Sequence, residues 1–134
     1  MKRRLLVAAP ILAMTALLSG CTLANAINPP IESAIYATQP EAAGATGSVA
    51  LPDFVQADAT TIRIKTDTSD NTKILGYSIP APLAAPIGAE CASPSTPALD
   101  DTWWVESIPT DATITCSGAW HIYVAGQNIF AWTP

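Results

Sequence analysis

The placement of proline constrains this chain more than any other feature. Twelve prolines occur in 134 residues, and Pro80, Pro82, Pro86, Pro94 and Pro97 crowd one stretch. Proline lacks a backbone N–H and fixes φ, so a helix interior or a central strand fails at that density. Pro80 to Asp101 is therefore expected to be a long surface excursion. Regular structure must come from the segments on either side, and these alternate with the two-residue period of strands. Across Ala59 to Thr66, Ile62 and Ile64 alternate with Arg63 and Lys65. Lys73 to Ile79 places Leu75, Tyr77 and Ile79 on one face. The turn-forming cluster Asp67-Thr68-Ser69-Asp70-Asn71 lies between them, which predicts a hairpin.

Beyond the excursion, Trp103 to Ile108 is apolar enough for a strand that Pro109 would end. Ala112 to Ser117 alternates, with Ile114 and Cys116 on one face. Trp120 to Ala125 and Asn128 to Trp132 flank Gly126-Gln127 as a second hairpin. No stretch past Cys21 sustains a capped helical period. The fold class expected is mainly β: a small antiparallel sheet domain over residues 53–134. Residues 21–52 are rich in Ala, Pro, Gly, Thr and Ser and read as a flexible linker spanning roughly 30 Å as a coil. Within it, Ile31 to Ala37 is expected to form at most a transient helical turn. No internal repeat is visible.

The first twenty residues read as an export signal. Lys2, Arg3 and Arg4 precede an apolar run from Leu5 to Leu18, and small residues follow. That run is shorter than the ~20 residues a spanning helix needs, and Pro10 interrupts it. Leu18-Ser19-Gly20-Cys21 resembles the lipobox of bacterial lipoprotein precursors. The resemblance implies cleavage after Gly20, a diacylglyceryl thioether on Cys21 and palmitate-type acyl chains in the membrane. Two acyl chains on one residue satisfy the condition for stable anchoring. High Ala, Thr and Pro with little Lys is similar to small lipoproteins of high-GC Gram-positive bacteria. The location implied is extracytoplasmic: lipid-anchored at the outer face of the cytoplasmic membrane. Ala24-Asn25-Ala26 leaves an alternative, ordinary cleavage that would release a soluble chain starting at Ile27.

Cysteine parity agrees with lipidation. Of three cysteines, assigning Cys21 to lipid leaves Cys91 and Cys116 as an even pair, expected to form a disulfide in an exported domain. There is neither a C-x-x-C nor a Cys/His ligand spacing, so no metal and no cofactor is expected. Charge excludes another class. The chain carries 6 Lys and Arg against 11 Asp and Glu. With Lys2, Arg3 and Arg4 removed in the signal, three basic residues remain and the formal charge falls to −8. Such a body lacks the basic surface a nucleic-acid partner requires.

Candidate chemistry is sparse. His121 is the one histidine, in Trp120-His121-Ile122-Tyr123-Val124, and reads as a strand residue sharing a face with Tyr123. It lacks a Gly-x-Ser-x-Gly elbow elsewhere in the chain. Asp100, Asp101, Glu106 and Asp111 cluster around Trp103-Trp104 and read as solvated loop acids. Asp67, Asp70 and Asn71 miss the alternating spacing of a calcium loop and read as a turn. Trp103 and Trp104, adjacent in an expected strand, should point to opposite faces. One of them is then a candidate aromatic platform for a sugar ring or a protein partner; core filling is the competing role. The expected function is a non-enzymatic binding or structural module of the cell envelope, with an envelope polysaccharide or protein as partner. The alternative is a small cell-wall hydrolase, or an inhibitor of an envelope hydrolase.

Overall fold

The computed structural model describes residues 30–134, so the signal segment, Cys21 and the start of the linker lie outside the described residues. Among the described residues there are seven strands: β1 (Ile31–Thr38), β2 (Thr60–Asp67), β3 (Thr72–Ser78), β4 (Ala89–Glu90), β5 (Ile114–Ser117), β6 (Trp120–Ala125) and β7 (Asn128–Trp132). They form one antiparallel sheet in the order β1-β2-β3-β7-β6-β5-β4. The mainly β expectation holds. No helix among the described residues is long and apolar enough to cross a membrane.

Both hairpins form where the alternation placed them. In the first, β2 pairs with β3 through Ile64↔Leu75 and Asp67↔Thr72. The Asp67 carboxylate accepts the Ser69 N–H at 2.9 Å, and the Asp70 carboxylate accepts the Thr72 N–H at 3.0 Å. These carboxylates hold the turn together through its own donors. The hydrogen bonds from Thr72 lower the Asp70 pKa below its ordinary value. In the second hairpin, β6 pairs with β7 through Tyr123↔Phe130 and His121↔Trp132.

The sheet has an inner and an outer face. The inner face carries Ile62, Ile64, Leu75, Tyr77, Ile122, Ile129 and Ala131, which pack with Val55, Ala59 and Ile79 into the main core. Each Ile, Leu or Val side chain among them contributes about 1.5–3 kcal/mol on full burial. Val49, Leu51, Phe54, Leu83 and Ile87 pack against this layer from the connecting segments. Two polar atoms pay a desolvation cost there: the Tyr77 hydroxyl and Gln56 Oε1 are buried without a hydrogen bond of normal geometry. Burial pushes the Tyr77 phenol well above its ordinary pKa.

Two expectations need correction. The linker assigned to residues 21–52 does not extend to Pro52. Ile31 to Ala37 is no helical turn but the body of β1, paired with β2 from Ile31↔Asp67 to Thr38↔Thr60. The reason is an inverted pattern. Glu32, Ala34 and Tyr36 lean inward, while Ile31 and Ile35 point out, and Ile35 is 72% exposed. The chain after β1 is tied down as well. Thr66 Oγ1 donates to the Ser48 carbonyl at 2.6 Å, the Tyr36 hydroxyl donates to the Val49 carbonyl at 3.3 Å, and Ser48 bonds to Glu32. Backbone pairing and these side-chain bonds replace the apolar drive that the composition lacks.

The second correction concerns Trp103 to Ile108, which forms no strand. Trp104 closes a turn through its N–H to the Asp101 carbonyl at 3.0 Å, and the Asp101 carboxylate accepts the Thr102 N–H at 2.7 Å. Trp103 and Trp104 lie across the face of the sheet, over Gly76 and Phe130, where no strand edge is in line to pair with their backbone. The Pro-rich excursion is irregular, apart from β4. It returns to β5 through Gly88 at φ 74°, where a Cβ would lie 2.1 Å from the Cys116 carbonyl oxygen.

Candidate functional site

The outer face of the sheet builds the candidate site. Two cross-strand rungs define it. One runs Ile35, Arg63, Gly76, Phe130, Tyr123, Ile114; the next runs Ser33, Lys65, Ile74, Trp132, His121, Cys116. Residues 91–112 cross over this face as a strap, pinned at three places. Cys91 is disulfide-bonded to Cys116, with their Cα atoms 5.2 Å apart. The Ser95 carbonyl accepts the Trp132 indole N–H at 3.0 Å, and the Ser95 hydroxyl meets His121 Nδ1 at 3.1 Å. Lys65 Nζ donates to the Asp100 carbonyl at 2.8 Å and pairs with the Asp101 carboxylate at 3.1 Å. Burial opposes the Asp101 charge, but hydrogen bonds from Lys65 and Thr102 outweigh it, so its pKa lies below the ordinary value.

The strap lays both candidate platform residues on the same face of the sheet. Trp103 lies over Gly76: a Cβ there would sit 3.0 Å from the ring atom Cζ3 and 3.2 Å from Cε3. Glycine within a strand marks such a close approach. Trp104 makes edge-to-face contacts with Phe130 at 5.4 Å, with Trp132 at 6.4 Å and with Trp103 at 5.9 Å between ring centroids. The opposite-face expectation fails because the pair sits in a turn, outside any pleat. Both rings are half-buried, so each combines packing with an accessible surface.

A depression lies beside each ring. Trp104 walls a cleft of about 500 Å³ between strap and sheet, with Trp132 on the sheet side and Leu99, Ile108 and Glu106 along the strap. Trp103 walls a groove of about 270 Å³ with Arg63, Gly76, Ser78, Asn128 and Phe130. The first volume lies within the usual range for small-molecule sites; the second falls just below it.

The remaining candidates resolve as follows. His121 is nearly buried, shares its face with Tyr123 as expected, and packs tilted on Trp132 at 5.5 Å. Among the described residues its hydrogen-bonding partner is Ser95, and no carboxylate bonds to it. The acids around the tryptophans are divided: Asp101 is held by Lys65, Glu106 and Asp100 border the Trp104 cleft, and Asp111 borders a different depression. Spacing suggested no Cys/His set, yet the fold brings Cys91, Cys116 and His121 within 4.8 Å of one another. Both sulfurs are consumed by the disulfide, so this cluster offers one ligand rather than three. Its signal was the tight β5–β6 hairpin, whose register sets Cys116 opposite His121.

Ser95, Arg63, Asn128 and Phe130 were not singled out from the sequence. Gly76, in mid-strand with no turn to make, was the legible hint that something large approaches there. No family model, curated protein or solved structure matches this chain.

Proposed function

We propose that this chain is an extracytoplasmic lipoprotein, anchored in the membrane through Cys21, that acts as a non-enzymatic binding module of the cell envelope. The observation that carries the reading is the Trp103–Trp104 pair, held half-buried over a rigid sheet with a depression beside each ring. Aromatic faces on a preorganised scaffold are what sugar rings and protein side chains dock on. The point of attachment is compatible with it. Cys21 lies nine residues before Pro30, so anchoring there keeps Pro30 within about 30 Å of the bilayer surface. Pro30 sits beside the β2–β3 turn, its carbonyl accepting the Thr68 N–H. Ser78 and Asn128 pair at the opposite end of the sheet. The Trp103 groove lies toward the Ser78–Asn128 end of the sheet, away from Pro30, so attachment through the N-terminal segment does not cover it.

The test is retention of the full chain, in detergent micelles, on envelope polysaccharide and on envelope protein extract. Retention on polysaccharide that falls at least tenfold in Trp103→Ala or Trp104→Ala supports the module. Turnover of an envelope substrate that is lost with Asp101, Glu106 or His121 replaced refutes it. A second reading, a small hydrolase or a hydrolase inhibitor, is favoured by one specific contact, Ser95 hydroxyl to His121. It lacks an acid that orients the imidazole. A stoichiometric enzyme captured from the extract would favour the inhibitor form.

A further inference from the structure

Resting on the polysaccharide-binding reading, we infer that the Trp103 groove is a subsite for a carboxylate-bearing sugar, read by Arg63. The described residues hold three cationic side chains, Arg63, Lys65 and Lys73. Lys65 is spent on Asp101, the one ion pair among the described residues. Arg63 has no carboxylate at ion-pair distance, and its Nε is enclosed without a hydrogen-bond partner. A guanidinium that lines the groove without a carboxylate partner calls for an explanation in so acidic a protein; with Nε enclosed, the donors left to a ligand there are its terminal N–H groups.

The surroundings supply one. Arg63 stands directly across from Gly76, and the bare glycine lets the Trp103 ring settle beside the arginine. At the end of the groove the Ser78 hydroxyl donates to Asn128 Oδ1 at 2.8 Å, which orients the Asn128 amide and leaves its NH₂ as a donor. Thr61, also lining the groove, is held at φ 54° where β2 bulges between Thr60 and Arg63. A β-branched residue in the left-handed region is strained, and such strain collects at ligand sites. One flat apolar ring, one planar cation and one amide donor around this groove match a uronic-type sugar. Its apolar face stacks on Trp103, and its carboxylate accepts from Arg63 in the bidentate geometry that guanidinium favours.

The probe is an oligogalacturonate, compared with the same oligosaccharide whose carboxyls are methyl-esterified. Both are titrated against the full chain in detergent micelles, with tryptophan fluorescence and calorimetry as readouts. The free acid should bind about tenfold or more tighter than the ester. Arg63→Gln should erase that difference, Arg63→Lys should restore part of it, and Trp103→Ala should weaken both forms. Far-UV spectra and melts of the Arg63 variants show whether the sheet is intact. If unfolding explains a loss, the acid-to-ester ratio of the wild type still decides. Equal binding of acid and ester overturns the role of Arg63 while leaving a sugar-binding module in place. Failure of both forms to bind overturns the subsite, and the module then depends on the retention experiment above.

Discussion

Gly76→Ala probes the contact on which the site is built. The new Cβ would lie 3.0 Å and 3.2 Å from two atoms of the Trp103 ring. The ring rests against the Gly76 backbone and must lift by a few tenths of an ångström, which disturbs its edge-to-face contact with Trp104. Overpacking of this kind costs about 1–3 kcal/mol. Replacing glycine within a strand returns about 0.5–1 kcal/mol by reducing the freedom of the unfolded chain. The net expectation is a loss of roughly 0.5–2 kcal/mol. Urea titration of the full chain, followed by far-UV circular dichroism, measures it. A double-mutant cycle sharpens the result. In a Trp103→Ala background the clash is gone, so Gly76→Ala should turn neutral or stabilising by about 0.5–1 kcal/mol. If Gly76→Ala destabilises equally in both backgrounds, the cost lies in the backbone and the ring does not rest on Gly76.

Three further outcomes follow from the same geometry. Replacing Cys91 and Cys116 together by Ala should cost about 3–4 kcal/mol in denaturant melts, because the bridge spans a separation of 25 residues; a loss below about 1 kcal/mol would mean that the strap is held by its other bonds. Thr61→Asn should stabilise by about 0.5–1 kcal/mol, since Asn tolerates the left-handed backbone that Thr61 adopts, and a destabilised variant would show the conformation to be unstrained. The pKa values of Asp70 and Asp101 are both lowered by folding, so their stabilisation is complete above the unfolded carboxylate range near pH 4 and is lost as pH falls through the lower folded values. Asp101→Asn should remove part of that acid sensitivity and cost under about 1 kcal/mol at pH 7, as expected for a partly exposed pair; unchanged acid melts would argue against the Lys65–Asp101 clamp.

What could be read in the sequence divides along physical lines. β2 alternates apolar with polar residues, while β3, β6 and β7 are runs of β-formers bounded by turn signals and buried on both faces, by the core and by the strap; both patterns located the strands within a residue or so. β1 escaped because its two isoleucines face outward and its inward positions are Glu32, Ala34 and Tyr36, so only the β2 ladder reveals it. Trp103 to Ile108 misled in the opposite sense: it is apolar because the strap covers the outer face, and period alone cannot separate a cover from a strand. The disulfide was legible from cysteine parity together with the expectation of export. The two tryptophans named as platform candidates do come together on the outer face, but the residues beside them were not named. Arg63, Gly76, Asn128 and Trp103 are distant in sequence and meet only through the β2–β3–β7 register and the path of the strap.

The anchored-module account depends most directly on the chemistry of Cys21, which intact mass spectrometry of the mature chain measures. The account predicts a chain that begins at Cys21 and carries a diacylglyceryl group on its sulfur. A chain that begins at Ile27, or one that retains Met1 to Gly20 with an unmodified Cys21, would contradict it.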